Sequence, residues 1–145
     1  MPTILYAEDD RDARELFAFV LRMNNYTVYE ARNGAQAVQI VRDEPVDLVI
    51  LDVRMPLMTG YDAAKIIARE SPQTPVMFLS ARGMSREIEK GFACGEMVVD
   101  YLVKPIAPDT LLQRVERVLD GVSVRGIESV REESWQQLIA VKIEA

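Results

Sequence analysis

The sequence predicts an α/β fold: a five-stranded parallel sheet covered by helices on both faces, a three-layer α/β/α sandwich. Short β-rich apolar runs alternate five times with segments of helical period, which is the pattern of repeated βα units. Parallel neighbours need right-handed crossovers, and these place helices on both faces of the sheet. Apolar residues make up 49% of the 145, with only 7 Gly and 7 Pro, which suits one packed domain and excludes a disordered or linker-rich chain.

The predicted strands are Thr3–Ala7, Thr27–Ala31, Val46–Leu51, Val76–Ser80 and Val98–Val103. Between the first two, Ala13, Leu16, Phe17, Val20 and Leu21 recur at helical spacing and predict one apolar stripe packed on the sheet. A second helix opens at Asn33, a good N-cap, runs over Ala37, Val38 and Val41, and stops before Pro45. The third starts near Thr59, carries Ala64, Ile67 and Ala68, and ends before Pro72. The fourth, Ser85–Cys94, has only Ile88 and Phe92 as large apolar residues, and its interior Gly91 costs ~1 kcal/mol relative to Ala. The fifth begins with Pro108 at its first position, repeats Leu111, Leu112, Val115, Val118 and Leu119, and is expected to end at Gly121.

Several classes of chemistry are excluded by composition. With no histidine, Ser-His-Asp and Cys-His hydrolases, His-ligated metals and phosphohistidine carriers all fall away, and any metal must be held by oxygen. The net charge of −6 argues against a phosphate-backbone partner, so no direct nucleic-acid contact is expected. The single cysteine, Cys94, cannot form an internal disulfide, and the chain opens on no charged-then-apolar leader. These features predict a cytoplasmic protein, and the lack of a long apolar run predicts no membrane span.

In open parallel sheets, ligands bind beyond the carboxyl ends of the strands. Here the first strand is followed by Glu8, Asp9 and Asp10, the third by Asp52, and the fifth by Lys104 and Pro105, while Ser80 ends the fourth. Asp52 follows the apolar run Leu48–Leu51, so its carboxylate is expected at the edge of a low-dielectric core beside the acids of the first strand. Two unit charges about 4 Å apart repel by ~4 kcal/mol at an effective dielectric of 20, and a hard divalent cation such as Mg²⁺ relieves that repulsion. Given the cation, Asp52 is placed to attack a phosphoryl group and form an aspartyl phosphate, with Lys104 neutralising charge and Ser80 bonding a phosphoryl oxygen. Taken singly, the acids suit a helix dipole, Asp52 a turn ahead of Met55-Pro56, Ser80 a loop and Lys104 solvent. Four strand ends sharing one edge favour one site.

At these residues the sequence resembles the receiver domain of two-component response regulators, the phospho-acceptor family that includes stand-alone chemotaxis receivers. The segments that carry the resemblance are Ile4–Asp10, Asp47–Pro56 with Thr59-Gly60, Pro75–Arg82 and Asp100–Pro105. It implies a flavodoxin-like fold with strand order 2-1-3-4-5, a receiver domain over 1–121, and Asp52 as the aspartate phosphorylated by a sensor histidine kinase or phosphotransfer protein. It further implies Mg²⁺, or Mn²⁺ in its place, on Asp9, Asp52 and the main-chain carbonyl of Arg54, with Glu8 acting through water. Lys104 would pair with the phosphoryl group, and Lys104-Pro105 would be a cis peptide. Ser80 and Tyr101 would form a switch pair that remodels the face of the fourth helix, fifth strand and fifth helix for a downstream effector protein. For Tyr101, plain packing in an alternating strand stays open beside the switch role.

Two departures from the family pattern stand out. The stretch Gly95–Tyr101 is about two residues longer than usual, which bears on the geometry of the fourth helix. Ala107 precedes Pro108 where a capping Ser is common, a difference worth ~1 kcal/mol. Arg54 and Arg82, each two residues beyond Asp52 or Ser80, are read as overhanging the phosphoryl site and hindering water.

The main rival is an Asp-nucleophile phosphatase of the haloacid-dehalogenase type, which needs a second Asp where Arg54 stands. A flavodoxin is disfavoured because Glu8-Asp9-Asp10 would repel its phosphate. A degenerate receiver is disfavoured by the full set of acids, hydroxyl and lysine. The chain thus reads as a signalling switch rather than an enzyme on an external substrate, either stand-alone or part of a longer regulator. For 122–145, with Ile127, Val130, Trp135, Leu138 and Val141, four readings stay open: an element of a homodimer, a docking helix, a linker, or a helix folded on its own domain.

Overall fold

The computed structural model describes residues 1–124. Five strands and five helices alternate: β1 (Thr3–Ala7), α1 (Arg11–Met23), β2 (Thr27–Ala31), α2 (Gly34–Asp43), β3 (Leu48–Leu51), α3 (Gly60–Glu70), β4 (Val76–Ser80), α4 (Ser85–Phe92), β5 (Val98–Val103) and α5 (Pro108–Val124). The sheet is parallel throughout, with order β2-β1-β3-β4-β5, as the resemblance implies. Side chains alternate across it. Leu5, Ala7, Val49, Leu51 and Phe78 pack with α2, α3 and α4, whereas Ile4, Tyr6, Leu48, Ile50 and Met77 pack with α1 and α5. Because β3 lies between covered faces, all four of its residues are buried, and its end delivers Asp52 to the edge of the core.

Local chemistry explains most boundaries. The Asn33 side chain caps α2 through the Gln36 N–H at 2.8 Å, and Thr59 caps α3 through the Asp62 N–H at 3.2 Å. At α1, Asp10 accepts from the Asp12 and Ala13 N–H groups at 3.0 and 3.4 Å. Of the three acids after β1, one therefore serves the helix and leaves two for the edge of the sheet.

Four expectations are corrected. In α1 the buried positions are Arg14, Phe17, Ala18 and Leu21, and Leu16 is 54% exposed. The period is the predicted one but the stripe is rotated, because the Arg14 guanidinium is buried by bonding the Glu8 carbonyl at 2.9 Å and Glu30 at 3.3 Å. β3 begins at Leu48 rather than Val46, since the Asp47 carboxylate turns back to accept from the Thr3 N–H at 2.8 Å. α4 stops at Phe92, with the Ala93 N–H closing on the Glu89 carbonyl. α5 continues through Gly121 to Val124, because a helix with its apolar face already docked tolerates one glycine. The remaining expectations for the C-terminal extension lie outside the described residues.

One residue of the extra length before Tyr101 is taken up within β5. Val76 pairs with Val98 but the next residue, Met77, pairs with Asp100, so Val99 is an inserted residue of a β-bulge. Val99 packs towards α5, and Asp100, on that same side, bonds Arg114 of α5 at 2.8 and 2.6 Å. Tyr101 then returns to the opposite face, beside Phe78 and α4.

Candidate functional site

The carboxyl ends of β1, β3, β4 and β5 open onto one cavity of about 710 Å³. Glu8, Asp9, Asp52, Arg54, Ser80 and Lys104 all line it, so the structure brings together every residue of the expected acceptor and metal set. Tyr101 lies outside that lining, on the α4 side of β5. The Lys104-Pro105 bond is cis.

Carboxylate oxygens of Glu8, Asp9 and Asp52 lie within 4.8 Å of one another. Glu8 and Asp52 are buried and Asp9 is exposed, so the cluster has a walled base and an open side. Lys104 reaches across from β5: its Nζ donates to Glu8 Oε1 and lies 3.4 Å from Asp52 Oδ2. Asp52 Oδ1 accepts from the Val53 N–H at 2.7 Å, which fixes the carboxylate plane.

This crowding perturbs the titrating groups. Burial, and then the bond to Asp52, push the Glu8 carboxyl up to about 7 against the pull of Lys104. Burial works against the Lys104 ammonium, but its bond to Glu8 and the charges of Asp52 and Glu8 outweigh that and raise its pKa. Three acids facing one lysine leave an excess of negative charge that an oxygen-ligated cation would complete.

Close packing holds the nucleophile candidate in place. A Cβ on Gly60 would stand 2.0 Å from the Asp52 carbonyl oxygen, and the Gly60 N–H donates to the Val53 carbonyl at 2.8 Å. The start of α3 is thereby pressed directly on the end of β3. Ser80 Oγ is buried, accepts from the Arg82 N–H at 3.2 Å and shares a hydrogen bond with the Tyr101 hydroxyl.

Tyr101 is fully buried, its ring turned inward against Phe78, and its hydroxyl donates to the Arg82 carbonyl at 2.6 Å. Sequence reading did not find three contributors. Arg14 steadies the Glu8 backbone, the Asp100–Arg114 pair anchors β5 to α5, and the Tyr61 hydroxyl meets that of Tyr101 at 3.3 Å. Each is a polar group on a helix or strand whose partner comes from a distant element, so spacing along the chain carries no signal of it.

The sequence matches the family model of the response regulator receiver domain over residues 4–116. It is 37% identical over 119 residues to the transcriptional regulatory protein CpxR of Escherichia coli (strain K12), covering 82% of this chain and 50% of that protein. It is 34% identical over 131 residues to the phosphate regulon transcriptional regulatory protein PhoB of the same organism, covering 89% of this chain and 56% of that one. The chain thus spans about half the length of the curated relatives it matches. Among solved structures, the chemotaxis protein CheY4 of Vibrio cholerae superposes with a TM-score of 0.77 at 31% identity, covering 81% of this chain and 98% of that one. The Francisella response regulator 1452 receiver domain gives 0.78 at 27% identity, covering 84% and 99%.

Proposed function

The chain belongs to the response regulator receiver domains of two-component signalling, and from that premise we propose that Asp52 accepts a phosphoryl group from a sensor histidine kinase or phosphotransfer protein. The observation that carries this reading is the grouping of the Glu8, Asp9 and Asp52 carboxylates around the Lys104 ammonium at one end of the sheet.

The donor set fits Mg²⁺ or Mn²⁺: Glu8, Asp9 and Asp52 offer hard oxygens, and Arg54, whose main-chain carbonyl would join them, lines the same cavity. Such an ion, when bound, supplies positive charge that lets an anionic phosphoryl group enter an acidic pocket. In the transfer a carboxylate oxygen of Asp52 forms the new bond to phosphorus. The phosphorus–nitrogen bond of the donor phosphohistidine breaks, and the nitrogen keeps its electron pair. Lys104 shifts its ammonium from Asp52 towards the transferred oxygens, and the Ser80 hydroxyl turns from Tyr101 to donate to one of them. Ser80 and Tyr101 act as the switch pair, and the surface of α4, β5 and α5 is the face read by a downstream effector protein. Catalysis by the chain is limited to gaining and losing its own phosphoryl group. No described helix is long and apolar enough to cross a membrane.

Incubation with acetyl phosphate and Mg²⁺, followed by intact-mass measurement, tests the reading. One added phosphoryl group is expected, abolished by Asp52→Asn and by chelation of the metal. Labelling that survives either treatment would overturn it.

A further inference from the structure

We infer that the Tyr61 hydroxyl is a positioning strut that holds α4 where it seats the Tyr101 ring inward, and so sets how far the unphosphorylated chain is poised to accept the phosphoryl group. The inference rests on the switch role proposed above for Ser80 and Tyr101 and adds a residue to it.

Tyr61 is the second residue of α3 and is buried. Its ring stacks edge-on against Phe78, with centroids 5.3 Å apart, and carries the Lys90 ammonium 4.9 Å from its centre. The hydroxyl lies 2.7 Å from Glu87 Oε2 and 2.9 Å from the Glu87 carbonyl, both in the first turn of α4. A single group of α3 thus grips α4 by side chain and backbone together.

The α4 segment in turn builds the seat of Tyr101. The Tyr101 ring lies so close to Gly91 that a Cβ there would stand 2.7 and 2.9 Å from ring carbons. Its hydroxyl donates to the carbonyl of Arg82, in the segment leading into α4. Arg82 Nη1 lies 3.7 Å from Glu87 Oε1, which closes a circuit of Tyr61, Glu87, Arg82 and Tyr101. Gly91, which by propensity only weakens α4, is the groove that admits the ring.

A proton count shows where the strength lies. The two tyrosine hydroxyls carry one proton each, and the Arg82 carbonyl takes that of Tyr101 at 2.6 Å. The Glu87 carboxylate takes that of Tyr61 at 2.7 Å in a charge-assisted bond. The 3.3 Å contact between the hydroxyls is therefore the weak side of the circuit. Tyr61 acts on Tyr101 through Glu87 and the position of α4, so removing its oxygen loosens the seat without touching the ring.

If a phosphoryl group favours the inward ring, its apparent affinity scales with the fraction of molecules already inward. The test uses beryllofluoride with Mg²⁺ as the phosphoryl mimic, on the full chain with ring-labelled tyrosines. Tyr61→Phe should shift the Tyr101 ring resonances towards solvent-exposed values in the free protein, with return on saturation. It should also weaken apparent beryllofluoride affinity about threefold to tenfold, the range one hydrogen bond controls. Gly91→Ala should act in the same direction by filling the groove, whatever its effect on helix stability. Unmoved Tyr101 resonances in both variants, or affinities within about twofold of the parent, would overturn the inference. A parent chain that never labels at Asp52 would instead sink the acceptor reading, while the ring resonances would still decide the role of Tyr61.

Discussion

The Nζ of Lys104 donates to a carboxylate oxygen of Glu8, joining the ends of β5 and β1, which the sheet separates by β3 and β4. The same ammonium lies 3.4 Å from Asp52, so one cation holds two buried acids that would otherwise repel.

Replacing that cation separates folding from chemistry. Lys104→Met should slow labelling by acetyl phosphate ~10²–10³-fold, the usual effect of removing one group that meets developing charge. The variant should also melt at a lower temperature without metal and regain more stability than the parent when Mg²⁺ is added, because the ion then carries the whole neutralisation. Stopped-flow labelling and thermal melts with and without Mg²⁺ check both; an unchanged labelling rate would contradict the assignment.

Gly60 makes a stringent steric test, since its Cβ position lies 2.0 Å from the Asp52 carbonyl oxygen. Gly60→Ala forces backbone from backbone and should cost at least about 1–3 kcal/mol in urea unfolding. Residual folded protein should label more slowly, because the end of β3 carries Asp52. A neutral outcome would mean that this contact is looser than the structure has it.

The buried pair Asp100–Arg114 gives a pH dependence with a definite sign. Burial raises the Asp100 carboxyl above its ordinary value, while Arg114 pulls it down. A carboxyl with a raised pKa binds its proton more tightly folded than unfolded. Its contribution to stability is greatest below the unfolded value of about 3.9 and declines as pH rises through the folded one. Arg114→Met removes the main downward pull and moves that window higher. We expect a loss of about 3–5 kcal/mol near neutrality, partly recovered towards pH about 5, read by urea unfolding at each pH. Equal losses at both would refute this account.

Arg54 and Arg82 both line the cavity that holds Asp52, the proposed acceptor. Arg82 is held by Glu87 at 3.7 Å, whereas Arg54 has no ion-pair partner among the described residues. The double variant Arg54→Asn, Arg82→Glu should release phosphate severalfold faster, with most of the change in Arg54→Asn alone. Release slower than the parent would show that the arginines do not shield the acyl phosphate.

Cys94 is buried, its Sγ lies 3.3 Å from the Lys90 carbonyl, and burial raises its thiol pKa. It should resist alkylation in the folded protein and react promptly in denaturant. Mass spectrometry after iodoacetamide decides this.

Much of the site was legible because strand ends are local events: an apolar run followed by Asp52, or by Lys104-Pro105, announces its own position. The limits of β1, β2, β4 and β5, the Asn33 cap and the start of α3 near Thr59 were readable for the same reason. What escaped was rotation and pairing. Arg14 counts as solvent-facing until Glu8 and Glu30 are seen to receive it, and that turned the α1 stripe away from Leu16. Gly91 scores as a defect until the Tyr101 ring fills the space it leaves. Tyr61 gives no sign in sequence of the distant Glu87 it holds.

The extra residue Val99 adds to the length of β5 without reversing its faces. A strand sends odd and even positions to opposite sides, so one inserted unit would reverse that parity downstream unless two neighbours share a side. Val99 and Asp100 do share the α5 side, so Tyr101 keeps its place opposite Phe78 and facing α4 despite the added residue. A single codon's deletion at this point would therefore leave Asp100 against α5 and Tyr101 against α4, because Val98 already packs on the α4 side.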